Sequence, residues 1–230
     1  MGKKICKALV LGMAVLTISR EIGSGGAEIG RMVAEKLNYH YADKQVMLEV
    51  FQQYGFQPFD KVYDKPSSFW DKFDNMRRTT LENLNAVIAA IAQHGNVVIV
   101  GRGSYAVLQD LADVLNVRIQ APFDARLEWL MKEENLTDKH EAAHRLEEMD
   151  VQRAEFVEST YMAPWDAAGL FDMVINTGKV SVDHAVSWLA EAAKTLDKAC
   201  ESGAPICRQL MVEDFLSSAV QGALNCSDAH

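Results

Sequence analysis

The segment that most constrains this chain is Ser19-Arg20-Glu21-Ile22-Gly23-Ser24-Gly25-Gly26-Ala27-Glu28-Ile29-Gly30. An apolar run, Ala14-Val15-Leu16-Thr17-Ile18, leads into it, and Ile29, Met32, Val33 and Leu37 continue beyond it at helical spacing. The pattern predicts a strand, a glycine-rich turn and a helix in direct succession. Glycines let a backbone curl so that consecutive N–H groups face one anion, and a helix N-terminus adds partial positive charge. That is the layout of a phosphate-binding loop, yet the usual signature G-x-x-x-x-G-K-[ST] is missing. Counting back from Gly25, Arg20 takes the first glycine's place, Gly26 the lysine's and Ala27 the hydroxyl's; shifted by one, Glu21, Ala27 and Glu28 do so. Neither frame supplies a lysine for the β/γ-phosphates or a hydroxyl for magnesium.

Two other readings compete for the loop. It can be a tight connection with no ligand, and the loop alone leaves that open. A dinucleotide fingerprint is the second, because Gly23-x-Gly25 is followed by Asp43 at the end of the next candidate strand. Its third glycine would fall on Glu28, whose side chain would crowd the helix–strand contact and repel pyrophosphate.

Candidate strands recur at 14–19, 39–42, 97–101, 114–120 and 172–176 with helical segments between them, the pattern of an α/β protein with a five-stranded parallel sheet. Val97-Val98-Ile99-Val100 is continuously apolar, as expected of a central strand covered on both faces. Leu81, Leu84, Ile88 and Ile91 mark one face of the preceding helix, which Gly95 and Asn96 end. Residues 124–158 are charged and helical, and Ser181 opens a last domain helix through Val182, Ala185, Val186 and Leu189. Residues 51–78 are rich in aromatics, Phe59, Tyr63, Phe69, Trp70 and Phe73 among them, and read either as a satellite core under a long excursion or, only by the family resemblance given below, as a substrate-binding segment. We place a domain over 1–198 and an extension over 199–230. In the extension Met211, Val212, Phe215, Leu216, Ala219, Val220, Ala223 and Leu224 form an amphipathic stripe that packs on its own domain or pairs with a second copy.

The net charge of −9 argues against general affinity for nucleic acid or anionic membrane, while leaving room for a small anion held by focused arginines. The apolar stretch from Ala8 to Ile18 falls short of the ~20 residues that span a bilayer. Cys6, Cys200, Cys207 and Cys226 lie near the chain ends with no C-x-x-C pair, the usage of reduced thiols in a cytoplasmic protein. The histidines, His140 and His144 included, lack metal-ligand spacing.

Ile18-Ser19-Arg20-Glu21-x-Gly23-Ser24-Gly25-Gly26-x-Glu28-Ile29-Gly30 resembles the opening motif of the cytidylate kinase-like family, a lysine-less branch of the P-loop nucleoside monophosphate kinases. Tyr39-x-Tyr41-x-Asp43-Lys44, the Val98–Gly103 segment, the stretch from Arg145 to Arg153, and Phe171–Thr177 match in the same order. The resemblance spans about residues 14 to 195 and implies a three-layer P-loop kinase fold with a helical lid. It also implies phosphoryl transfer from ATP, with Mg2+, to a nucleoside monophosphate, cytidylate being the favoured acceptor; the alternatives are a non-catalytic nucleotide-binding sensor on the same fold and a kinase for another small-molecule acceptor. Family members commonly carry arginine after the Gly-Gly pair; this chain has Ala27.

Phosphoryl transfer needs two phosphorylated substrates held in line, cations around the moving group, and water shut out. Gly23, Ser24, Gly25, Gly26 and Ala27 are the candidate ATP-binding loop, and Arg20 is the nearest cation to replace the lysine. Gly101-Arg102-Gly103 places a guanidinium directly after a buried strand, where its planar fork suits two oxygens of an acceptor phosphate. The resemblance assigns Asp43, Lys44 and Asp150 to the acceptor and makes Arg145 and Arg153 lid arginines; Asp150 and Arg153 are one helical turn apart. Magnesium would be held through water and nucleotide oxygens, with the Ser24 hydroxyl of the loop as the alternative. Asn176 and Thr177, after the last strand, either touch the donor base or cap the turn before Ser181.

Overall fold

A computed structural model describes residues 13–56, 74–162, 165, 167–196 and 203–227. Five strands, β1 (Val15–Arg20), β2 (His40–Ala42), β3 (Val97–Val100), β4 (Val114–Gln120) and β5 (Met173–Asn176), form one sheet in the order β2-β3-β1-β4-β5. All four neighbouring pairs are parallel, with Val15 opposite Val97 on one side and Val114 on the other. The α/β architecture with five parallel strands stands as the sequence led us to expect. Parallel strands covered on both faces read as near-continuous apolar runs, which makes them visible without a structure.

The helices are α1 (Gly26–Leu37), α2 (Lys44–Tyr54), α3 (Asp74–His94), α4 (Ser104–Leu108), α5 (Phe123–Glu133), α6 (Lys139–Tyr161), α7 (Val182–Thr195) and α8 (Asp214–Ser227). Side chains alternate between the two faces of the sheet. Leu16, Ile18, Val98 and Val100 pack with Ile29 and Val33 of α1 and Leu189 of α7. Val15, Val97 and Ile99 face the other layer, where Met47 and Phe51 of α2 meet Leu84, Ile88 and Ile91 of α3. A third, smaller cluster of Ile22, Leu127, Leu130, Ala142 and Leu146 ties α5 and α6 to the glycine loop. The lid is thus anchored by its own apolar contacts beside the loop.

Leu216, Val220, Ala223 and Leu224 of α8 are buried in the same core as α2 and α3. This part of the stripe packs on its own domain, one of the two arrangements expected for it. Met211 and Phe215 of that pattern remain 97% and 66% exposed. Phe59, Tyr63, Phe69, Trp70 and Phe73 of the aromatic segment lie outside the described residues. No helix among the described residues is long and apolar enough to cross a membrane.

Candidate functional site

β1 ends at the carboxyl edge of the sheet and hands the chain to the glycine loop, where ligands of open α/β sheets bind. Gly23 and Gly25 have φ of +74° and +76°, the left-handed region that L side chains rarely adopt. Together they turn the chain back into α1, and no side chain caps that helix. Its first N–H groups are therefore left for an anion. Gly26 is glycine for packing: a Cβ there would lie 2.6 Å from Cβ of Arg20.

The Ser24 hydroxyl is buried, donating to the Glu21 carbonyl at 2.8 Å and lying 3.2 Å from the Ile119 carbonyl. Thr177 Oγ1 donates to the Ser24 carbonyl at 2.9 Å. These bonds pin the loop to β4 and to the turn after β5. They also correct one expectation: Ser24 turns its oxygen into the protein and does not present it to magnesium. What the loop offers to an anion is therefore its backbone N–H groups and not a side-chain hydroxyl. Asn176 accepts from the Gly178 N–H at 2.9 Å, so this pair of residues shapes the turn, and Ser181 caps α7.

A cleft of about 380 Å³ opens over the loop, lined among others by Arg20, Gly23, Ala27, Arg31, Trp129 and Arg153. A second, narrower cleft is lined by Arg20, Gly101, Arg102, Gly103, Arg153 and neighbours. Arg20 and Arg153 border both, and Arg153 Nη1 donates to the Arg20 carbonyl at 2.9 Å. Gly101 has φ of +83°, and a Cβ there would fall onto the Arg20 guanidinium, 2.9 Å from its Cζ. Glycine at 101 is what lets Arg20 lie across the end of β3. A Cβ on Gly103 would likewise collide with the Tyr161 ring, whose hydroxyl donates to Asn85 Oδ1 at 2.9 Å. Arg102, between them, has φ of +61°.

Sequence reasoning missed the charges beneath this surface. Arg118 and Arg126 are only 3% and 6% exposed. Glu21 lies 3.8 Å from Arg118 and 3.5 Å from Arg126, and accepts the Ala121 N–H at 3.0 Å. Arg126 Nη1 goes on to donate to Asp150 Oδ2 at 2.6 Å. Arg118 donates to the Trp165 carbonyl at 2.8 Å and its Cζ stacks 4.3 Å from the Trp165 ring centroid. The Glu21 carboxylate next to the loop is thereby compensated from inside the protein, which lessens its repulsion of an incoming anion. One signal was available: an arginine inside β4 needs a buried partner, and of the motif's two carboxylates, Glu21 and Glu28, Glu21 is the one next to the end of β1.

The remaining expected site residues are spread out. Asp150, which the resemblance assigns to the acceptor, accepts from Arg126 Nη1 at 2.6 Å and is not among the residues lining these two clefts. Arg145 is half-exposed, 3.0 Å from Glu134 Oε2, and also lines neither cleft. Asp43 caps α2 by accepting the Gln45 N–H at 2.8 Å, and Lys44 is the first residue of that helix. Burial, then the Asp43 carboxylate, raises the Tyr41 phenol above its usual range, with Arg31 and Arg20 opposing.

Residues 15–179 match the model of the cytidylate kinase-like family. The chain belongs to that family. It is similar to a cytidylate kinase of Methanocaldococcus jannaschii, 26% identical over 189 residues, covering 80% of this chain and 99% of the relative. A cytidylate kinase of Methanopyrus kandleri is 26% identical over 186 residues, covering 79% and 94%. Among solved structures, an uncharacterized protein from Eubacterium ventriosum superposes with a TM-score of 0.62 at 22% identity, over 79% of this chain and 99% of that one. The family match runs from β1 to just past β5 and so takes in the loop, both clefts and the lid.

Proposed function

We propose that this member of the cytidylate kinase-like family transfers the γ-phosphoryl group of ATP to a nucleoside monophosphate, with a cytidylate-like acceptor. The observation that carries the reading is the junction of the two clefts at Arg20 and Arg153. One cleft ends on an uncapped helix N-terminus suited to the donor's phosphates, and the other on Arg102, suited to the acceptor's. Two cations at their meeting point stand where charge spreads over the moving phosphoryl group, and pre-placed charge of that kind lowers a phosphoryl-transfer barrier. ATP would bring magnesium with it, held by phosphate oxygens and water. The similarity to cytidylate kinases supports cytidylate as the acceptor.

The second reading is a nucleotide-binding sensor, favoured by one observation: the loop carries Ala27 and no lysine. Incubating the protein with ATP, Mg2+ and each nucleoside monophosphate, following ADP release, and measuring ATP affinity by calorimetry separates the two. Turnover that depends on one acceptor supports the kinase. Tight ATP binding with no turnover for any acceptor supports the sensor.

A further inference from the structure

The donor loop needs a cation, and three arginines line its cleft: Arg20, Arg31 and Arg153. Two of them are committed elsewhere. The Arg20 guanidinium lies across Gly101, at the acceptor end, and Arg153 Nη1 donates to the Arg20 backbone. Both border the second cleft, whereas Arg31 lines only the one over the loop.

Arg31 sits on α1, four residues after Ala27, so the two share a face of the helix whose N-terminus forms the loop. Helical side chains lean toward the N-terminus, and a long one covers the turn before its own Cα. That turn is Ala27, whose single methyl leaves the path open. Arg31 is also loosely held. Its side chain is 59% exposed, 3.8 Å from Asp43 Oδ2, with its Cζ 5.0 Å from the Tyr41 ring centroid. An exposed pair at that separation contributes little and gives way readily to a polyphosphate.

We propose that Arg31 supplies the phosphate loop with its cation, leaving Tyr41 and Asp43 to reach across Ala27 to the terminal phosphates of a nucleoside triphosphate. The inference rests on the donor-loop reading above. It explains how this chain does without a cation at position 27: the charge comes from one turn further along the same helix face. A guanidinium there adds a full positive charge and a planar fork for two phosphate oxygens to a backbone N–H cradle that carries only partial charges.

The test is calorimetric titration of the full chain with inorganic tripolyphosphate and, separately, with ATP, which reads binding independently of turnover. Arg31→Ala, and Arg31→Gln, which keeps most of the stem, should each weaken tripolyphosphate binding about tenfold, the effect of one charge-assisted contact at an exposed site. Adding Ala27→Arg to Arg31→Ala should restore affinity to within about threefold of wild type, because it returns a guanidinium to the same place. Thermal unfolding of every variant checks the fold. If Arg31 only ties α1 to β2, unfolding shifts, affinity stays within about twofold, and Ala27→Arg rescues nothing; that result overturns the proposal. Wild type that binds neither tripolyphosphate nor ATP overturns the donor-loop reading itself. Wild type that binds both, with Arg31→Ala unaffected, overturns this inference alone.

Discussion

Arg126→Met removes the guanidinium that joins Glu21 to Asp150 while keeping most of its buried stem. The two carboxylates do not lose equally. Glu21 retains Arg118 at 3.8 Å and the Ala121 N–H at 3.0 Å, whereas Asp150 loses a bond of 2.6 Å. A hydrogen bond to a charged group contributes ~1.5–3 kcal/mol. The Glu21 and Asp150 side chains are 18% and 20% exposed, so water recovers part of the loss. We therefore expect urea unfolding to report a destabilisation of about 1.5–2.5 kcal/mol. Asp150→Asn in both backgrounds completes a double-mutant cycle, for which a coupling of roughly 1–2 kcal/mol is expected. A coupling below about 0.5 kcal/mol would refute the claim that these residues act as a pair. Neither residue lines a cleft, so any effect on turnover should come through placement of the lid, with kcat falling more than ATP affinity.

Four further outcomes are expected. Gly25→Val, at a position with φ of +76°, should abolish ATP binding in calorimetry while circular dichroism shows the fold retained; unchanged affinity would remove the phosphate loop. Arg102→Ala should weaken monophosphate binding by roughly 10- to 150-fold with ATP affinity nearly intact, the converse pattern meaning that the two clefts are exchanged. Arg153→Ala should lower kcat at least about tenfold while ATP affinity changes less than about threefold, as for a cation that acts mainly in the transition state. Burial, and then the Asp113 carboxylate, holds the Cys207 thiol protonated well above its usual range. Iodoacetamide at pH 8 should therefore spare Cys207 in the native protein and label it in urea, as mapped by mass spectrometry; labelling of the native thiol would contradict its burial. Since only the unfolded thiol ionises near its usual pKa, this group should make the fold less stable as pH rises above that value.

The sheet was legible chiefly because β1 and β3 are nearly continuous apolar runs, and the loop because its glycines stand directly between a strand and a helix. Arg20 and Arg102 could be placed at the carboxyl edge of the sheet because each stands at the end of a recognisable strand. Partners across the fold could not be read. Glu21 and Arg118 are far apart in the chain, and only the register of β1 against β4 brings Ser19 beside Arg118 and Arg20 beside Ile119. The lid's charges looked alike in sequence, since the helical stretch that carries Arg145, Asp150 and Arg153 has no mark for which side faces the cleft. Packing of Leu146 and Ala142 against Ile22 sets that rotation. The amphipathic α8 was visible, but its neighbours α2 and α3 were not implied by its own pattern.

The most direct test of the account follows the phosphoryl group itself. Incubate the full chain with Mg2+, CMP and ATP labelled at the γ-phosphate, and separate the products. The account expects label at the β-position of CDP, formed at a rate that collapses in Arg102→Ala. Label released only as inorganic phosphate, or ATP bound and never consumed with any nucleoside monophosphate, would contradict it.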